Sequence, residues 1–447
     1  MPASKRKIVL VGGGSVAWGP GLLRDMLLSQ PLKGSQYFLY DIDKPSADLI
    51  AAVGENLART VGVEARFVPT DNRARALKGA DYVIITISTG GLDATAMDLS
   101  IPERFGIYHT VGDTSGPGGW ARFIRNFDAF VALARDFNRC APDALILNYS
   151  NPMTALTDVL SRLCGGRVIG LCHGLRSNQY FVRDFYRLKD LGQTAFKIGG
   201  VNHFFWATHA RAGRIDVIAD LRRRLRKQTL RDLLKQAYPD GHPAIDPALT
   251  LATELFRLTG VMPFLADRHI CEFVNWCVTS KEGLRRYKVP RTTAAERQRH
   301  LARRRRRAER MVSHIDPEFL KGDPEIACQI IAAHIVGRPT AVDMGNLPNT
   351  GQVQNLPAGA VVETGVCVDS NGFTPLNFGP LPPAVLGLVE PWTRVFTMAV
   401  DACFRKDRKM ALQALRLDPL CAHLNTDVVN ELAQRLLDAH RRFITVF

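Results

Sequence analysis

Over the first 190 residues, apolar runs of four or five positions alternate with longer stretches of helical period. Strands are predicted at 7–11, 36–40, 64–68, 82–86, 144–148 and 167–171, with helices at 20–30, 47–61 and 124–138 between them. Pro152 suits the first turn of a further helix. Short buried strands alternating with amphipathic helices predict an α/β protein with a parallel, doubly wound sheet and right-handed crossovers. After residue 188 the rhythm changes. Adjacent strands at 195–201 and 203–211 lead into a basic helical region reaching residue 310. A strand- and loop-rich stretch follows at 340–378, and amphipathic helices at 384–404, 406–415 and 426–440 close the chain. The expected division is a Rossmann-type domain at 1–190 and a larger α+β domain at 191–447 carrying substrate, metal and subunit contacts, with the cleft between them.

The strand ends carry the chemistry. After the first strand, Gly12, Gly14 and Ala17 fit G-x-G-x-x-[GA], with Ser15 in the loop. Small residues there let the backbone approach a pyrophosphate at a helix N-terminus. Asp41 ends the second strand, where a carboxylate accepts hydrogen bonds from a ribose. The alternative is a glycine-rich turn that binds nothing. Ser88 and Thr89 end the fourth strand, small enough to lie along a cofactor. Asn148 and Asn151 end the fifth, with amides suited to hydroxyls or a nicotinamide. Cys172 and His173 end the sixth, and Asn202 and His203 stand at the next strand junction.

Charge changes the picture less than its size suggests. The formal net charge is +15, with arginine concentrated at 221–231 and 297–310. No aromatic residues interleave these runs and no nucleic-acid module is recognisable, so they read as solvated helix faces rather than a nucleic-acid surface. No apolar run has transmembrane length, so no membrane partner is expected. The N-terminal MPASKRK runs directly into a strand and does not read as a signal peptide. Nine scattered cysteines fit a reducing cytoplasm better than a disulfide scaffold.

A thiolate and an imidazole, Cys172 and His203, suit Mn²⁺, Fe²⁺, Co²⁺, Ni²⁺ or Zn²⁺ and would leave positions open for substrate oxygens. From spacing alone, a core cysteine and a structural histidine are the commoner reading. The blocks GGGS, LYDID, NYSNPM, GLCHG, GVNHFFWA, ADRHICEF and MGNLPNTGQVQNLPAGAVVETGV stand in the order found in family 4 glycoside hydrolases. By these motifs the chain resembles that family from Lys7 to the closing helices.

The resemblance implies a lactate/malate dehydrogenase-like fold and a redox-elimination mechanism dependent on NAD⁺ and a divalent metal, usually Mn²⁺. A hydride leaves the sugar C3 for NAD⁺, the C2 proton becomes acidic, and the leaving group departs from C1. Water then adds and the hydride returns. The resemblance assigns Cys172 and His203 as metal ligands and Asn151 as a substrate contact, beside Asn202. It makes His173 the leaving-group acid, a hydroxyl ligand or an orienting histidine. It offers Asp267 as the C2 base, or as a structural partner of Arg268. It offers Asp113 as an acid, a hydroxyl ligand or a helix cap. The sequence DRHxxEF looks like the hexuronidase-type members, with Arg268 binding a C6 carboxylate. The competing substrate is a neutral α-galactoside or α-glucoside, with Arg268 tied to Glu272 or Asp267. The expected activity is therefore cleavage of α-glucuronides or α-galacturonides in small oligosaccharides, by a homodimer or homotetramer. A simple NAD-linked dehydrogenase is the rival enzyme class, but it gives Cys172 no task. A non-enzymatic NAD-sensing or nucleic-acid-binding protein using the arginine runs is the remaining alternative.

Overall fold

The computed structural model describes residues 5–243 and 245–447. Residues 1–4, part of the segment read as lacking a signal peptide, lie outside that range. Thirteen strands form one continuous sheet: β1 (Lys7–Val11), β2 (Gln36–Tyr40), β3 (Arg66–Thr70), β4 (Tyr82–Ile85), β5 (Leu145–Asn148), β6 (Val168–Gly170), β7 (Thr194–Val201), β8 (Phe204–Ala212), β9 (Ile215–Asp216), β10 (Met262–Pro263), β11 (Thr340–Pro348), β12 (Val361–Asp369) and β13 (Gly372–Pro375). The first six run parallel in the order β3-β2-β1-β4-β5-β6, the doubly wound dinucleotide-binding arrangement. Their central members are buried on both faces, which is why they read as unbroken apolar runs: Ile8, Val9, Val83, Ile84, Ile85, Ile146 and Leu147 are fully enclosed.

From β6 the sheet continues without a break into antiparallel strands, in the order β11-β12-β7-β8-β10. A single pair, Asn346 opposite Gly170, joins the parallel and antiparallel halves. The two regions distinguished in sequence therefore share one sheet. The β7–β8 hairpin turns tightly at Asn202 and His203, and His203 takes a left-handed backbone conformation with φ of 64°. Helices cover both faces, including the Gly116–Cys140 helix behind the parallel strands and the Pro383–Arg405 and Thr426–His440 helices.

The last helix is fastened to the N-terminal half by a buried cluster. Arg125 forms a bidentate pair with Asp98 at 2.6 and 2.7 Å, and His440 Nε2 lies 2.9 Å from the same carboxylate. Arg125 Nε also donates to the Thr89 carbonyl, which holds the loop after β4. No described helix is long and apolar enough to cross a membrane.

Candidate active site

The glycine loop leaves β1 with Gly12 at φ of 90°, a conformation that favours glycine. Gly12 and Gly13 both donate to the Tyr40 carbonyl, at 3.0 and 2.9 Å, so the loop lies tight against the end of β2. A methyl group on Gly13 would sit 2.6 Å from the Leu39 Cα, and one on Gly14 would sit 2.6 Å from the Ser46 Cβ. Small residues are thus required on the inner side, while Ala17 stays exposed on the outer side. Asp41 accepts the Gly14 amide at 2.9 Å and the Asp43 amide at 3.0 Å, which fixes its carboxylate beside the loop. Ser88 is exposed and Thr89 half-buried at the end of β4, with the Thr89 amide held by Asn126. The loop, the Asp41 carboxylate and the bare end of β4 fit a dinucleotide lying across the carboxyl ends of the strands.

Asn148 does not belong to that surface. Its side chain is fully buried and turned into its own bend, accepting the Ser150 amide and donating to Thr157 Oγ1 and the Ser150 carbonyl. The expected cofactor contact gives way to a structural one, because the amide satisfies the backbone where β5 ends. Three residues on, Asn151 keeps a buried Oδ1 with no hydrogen-bond partner, an atom that calls for a donor from a bound molecule.

His203 belongs to a candidate metal-holding group. Among the described residues, the three-donor group whose ligand atoms lie within 4.8 Å of one another is Asp113, His203 and His269. The His203 and His269 rings are 4.3 Å apart. Thr114 joins the group from behind. Its hydroxyl donates to Asp113 Oδ1 at 2.8 Å and lies 3.0 Å from His203 Nδ1. A hydroxyl has one proton, and the Asp113 carboxylate can only accept, so Nδ1 of His203 must carry a proton and donate to Thr114. That tautomer leaves the lone pair on Nε2, the atom able to ligate. Burial and the neighbouring His269 push His203 down to about 3, so the ring is neutral at ordinary pH. Asp113 is lowered to about 2: the charges of His269, His203, Arg122 and Arg297 outweigh the cost of burial. An ionised Asp113 carboxylate and the neutral His203 imidazole, with the His269 ring beside them, form a donor set suited to a borderline divalent ion.

Cys172 lies at the floor, 8% exposed, its Sγ accepting the Gly174 amide at 3.3 Å. It is not part of the three-donor group. Burial and the nearby Glu363 push its thiol well above the usual range. Asn202, expected to touch substrate, is fully enclosed and donates to Glu363 Oε1 at 3.2 Å; Asn346 donates to the same oxygen at 2.7 Å. The Asn202 Oδ1, like that of Asn151, is buried with no hydrogen-bond partner. His173 is exposed at the mouth, its ring 5.4 Å from Trp18, and is lowered first by desolvation and then by His269, Arg176 and Arg304.

Two expectations drawn from the DRHICEF block do not fit. Asp267 is 1% exposed, and its oxygens accept the Leu251 and Ala252 amides at 2.9 and 3.0 Å, capping the Thr250–Thr259 helix. A carboxylate so enclosed, each oxygen held by a helix amide, is not presented to a sugar C2 proton, so the base role does not follow. Arg268 does not point free into the cleft either. Nε and Nη2 both donate to Asp246 Oδ1, at 3.2 and 2.9 Å, a partner other than the Glu272 or Asp267 considered from sequence. Glu272 instead accepts the amides of Thr110, Val111 and Gly112, fixing the loop that carries Asp113. His269 was missed as a site residue, although it stands in the same block.

A dinucleotide-binding sheet with a divalent-metal donor cluster beyond its strand ends defines a class: enzymes that pair hydride transfer with metal-polarised oxygens. The chain belongs to the family 4 glycosyl hydrolases, whose N-terminal description matches residues 7–188 and whose C-terminal domain matches residues 198–421. It is 32% identical to an alpha-galacturonidase of Bacillus subtilis over 93% of each chain. It is 30% identical to an alpha-galacturonidase of Thermoanaerobacterium saccharolyticum over 98% of this chain and 96% of that one. Among solved structures, the Bacillus subtilis protein lplD superposes with a TM-score of 0.86 at 29% identity, over 97% of this chain and 100% of that one. A 6-phospho-alpha-glucosidase from gut microorganisms, solved with NAD and Mn²⁺, shares the fold at a TM-score of 0.80 and 20% identity over 99% of each chain. The malate dehydrogenase of Cryptosporidium parvum shares it more distantly, at 0.52 and 14% identity over 89% of this chain and 98% of that one. The dehydrogenase-like fold expected from the motifs is the fold observed.

Proposed function

We propose that this chain is an NAD⁺- and divalent-metal-dependent glycosidase that releases α-linked hexuronic acids, α-galacturonides foremost, from small oligosaccharides. The observation that carries the reading is the Asp113–His203–His269 cluster beyond the carboxyl ends of a dinucleotide-binding sheet. Bound NAD⁺ would supply a hydride acceptor, and a divalent ion would supply Lewis-acid stabilisation of charge on substrate oxygens.

The chain's own residues would act around these groups. His203, through Nε2, with His269 and Asp113 would hold the ion, and Cys172 would join them as a thiolate once an ion draws off its proton. His173, neutral and open at the mouth, would carry a proton to or from the reacting sugar in place of Asp267. Asn151 would donate to or accept from a sugar hydroxyl. An acidic sugar is favoured by the cations around Asp113: Arg122 and Arg297 both bear on it, and Arg297 Nε is buried with no hydrogen-bond partner. The Arg268–Asp246 pair favours the second reading, a neutral α-galactoside cleaved by the same mechanism.

Hydrolysis of p-nitrophenyl α-galacturonide, α-glucuronide, α-galactoside and α-glucoside, each with and without NAD⁺ and Mn²⁺, tests the proposal. Uronide cleavage requiring both additions is expected. Cleavage of neutral sugars alone would move the assignment to the second reading, and steady NADH production from a hydroxy acid would move it to the dehydrogenases. The subunit number is proposed as two or four, to be read by light scattering. Nine free cysteines favour a reducing compartment, and no nucleic-acid or membrane partner is proposed.

A further inference from the structure

The arginine run at 297–310 lies in one helix, Ala294–Met311, whose two faces do different things. At 100° per residue, Arg299, Ala302, Arg303 and Arg306 share one side. Together with His300 they line a surface hollow to which no other element contributes, so this is the solvent face. Arg297, Leu301, Arg304, Arg305, Ala308 and Met311 share the other side, and Ala308 and Met311 are buried.

That inner face spans the cofactor cleft between fixed points. At one end, Thr292 donates its amide to the Thr110 carbonyl at 2.9 Å and Arg297 donates to the Val111 carbonyl at 2.5 Å, both on the loop that carries Asp113. At the other end, the Met311 carbonyl accepts Asn56 Nδ2 at 2.9 Å, on the helix that follows β2. Between them, Arg305 Nη1 lies 3.2 Å from Ser46 Oγ, and Ser46 is the residue packed against Gly14 of the glycine loop. Arg304 projects from the same side of the helix, about 40° from the buried Ala308 and about 100° from Arg305. Arg304 has no ion pair among the described residues, and Arg305 has one partly exposed partner, Glu309 at 3.3 Å. Leu301, 45% exposed, lies on the same side of the helix one turn earlier.

We propose that this helix is a strap across the dinucleotide site, and that Arg304 and Arg305 bind the cofactor's diphosphate from the side opposite the glycine loop. The inference rests on the NAD⁺-dependence proposed above. Neither guanidinium belongs to the glycine fingerprint, Arg305 reaches the residue packed against Gly14, and the loop's amides can neutralise only part of two phosphate charges.

The test is calorimetric titration of the full chain with NAD⁺, ADP-ribose and adenosine. Arg304→Gln with Arg305→Gln should weaken NAD⁺ and ADP-ribose by roughly tenfold or more, as expected for lost charge-assisted hydrogen bonds, while adenosine is unchanged. The dependence of NAD⁺ affinity on salt should flatten in the same variant. The control pair Arg303→Gln with Arg306→Gln, on the solvent face, should leave all three affinities within about twofold. Equal losses in both pairs would reduce the effect to bulk charge and overturn the proposal. So would an unchanged NAD⁺ affinity, including one accompanied by weaker galacturonate binding, which would hand these arginines to the substrate. A wild-type chain that binds no NAD⁺ would remove the functional reading itself, a result distinct from either of these.

Discussion

Two aspartates, Asp113 and Asp267, stand 154 residues apart and were both candidates for proton chemistry, yet they sit in opposite environments. Asp113 faces two imidazoles and two guanidiniums, so its carboxylate stays ionised down to about 2. Asp267 faces helix amides in an enclosed site, and burial, joined by the neighbouring Asp246 carboxylate, outweighs those hydrogen bonds and raises it to about 7. A value near 7 would ordinarily recommend a residue as a general base. Here the geometry overrules it, because the carboxylate is enclosed and each of its oxygens is held by a helix amide, of Leu251 or Ala252. A perturbed carboxyl marks a functional site only when it also faces space that a substrate can enter.

The largest way to break the comparison is at the metal cluster. Asp113→Asn or His269→Ala should weaken Mn²⁺ binding by at least about a hundredfold, since even groups one shell further out are worth tens of fold. Electron paramagnetic resonance titration of free Mn²⁺ checks this without reference to turnover, and an unchanged affinity would remove these residues from the site. Next, Asp267→Asn should cost about 1–2 kcal/mol, the range of a lost helix cap. It should lower the melting temperature while leaving kcat within about threefold. Lost turnover at unchanged melting temperature would restore Asp267 as the base.

The same pair sharpens into opposite pH slopes. Asp267 is raised in the fold above its unfolded value near 4, so the stability it contributes is present below about pH 4 and lost as pH rises toward 7. Asp113 is depressed, so its contribution is present above about pH 4 and lost as pH falls toward 2. Urea unfolding of the wild type against each Asn variant, from pH 3 to 8, should show the two differences trending in opposite directions. The smallest effect is expected at Arg268→Gln. With its guanidinium already held by Asp246, the KM for a uronide should change by less than about threefold.

What was legible in the sequence follows from range. The glycine loop, Asp41 and the six parallel strands were readable because their chemistry is local: neighbouring residues satisfy it, and apolar runs mark strands buried on both faces. The strand ends were read to within about two residues. The cleft lining was harder, because orientation within a short element decides it. Asp267 and His269 are two residues apart in one turn of helix, so their side chains point about 200° apart and only one can face the cleft. The motif favoured the aspartate, and the fold turned the histidine outward. Asn148 was harder for a related reason, since a buried amide near a strand end serves the backbone as readily as a ligand. The arginine run at 297–310 read as one solvated face because composition carries no phase; the helix divides it in two.

The most direct test of the central claim is turnover of p-nitrophenyl α-galacturonide in D₂O with NAD⁺ and Mn²⁺, followed by mass spectrometry and NMR of the released sugar. Oxidation at C3 with proton loss at C2 and return of the hydride predicts deuterium at C2, none at C3, no net NADH, and no reaction when either addition is withheld. Cleavage that proceeds without NAD⁺ and leaves C2 unlabelled would contradict the account.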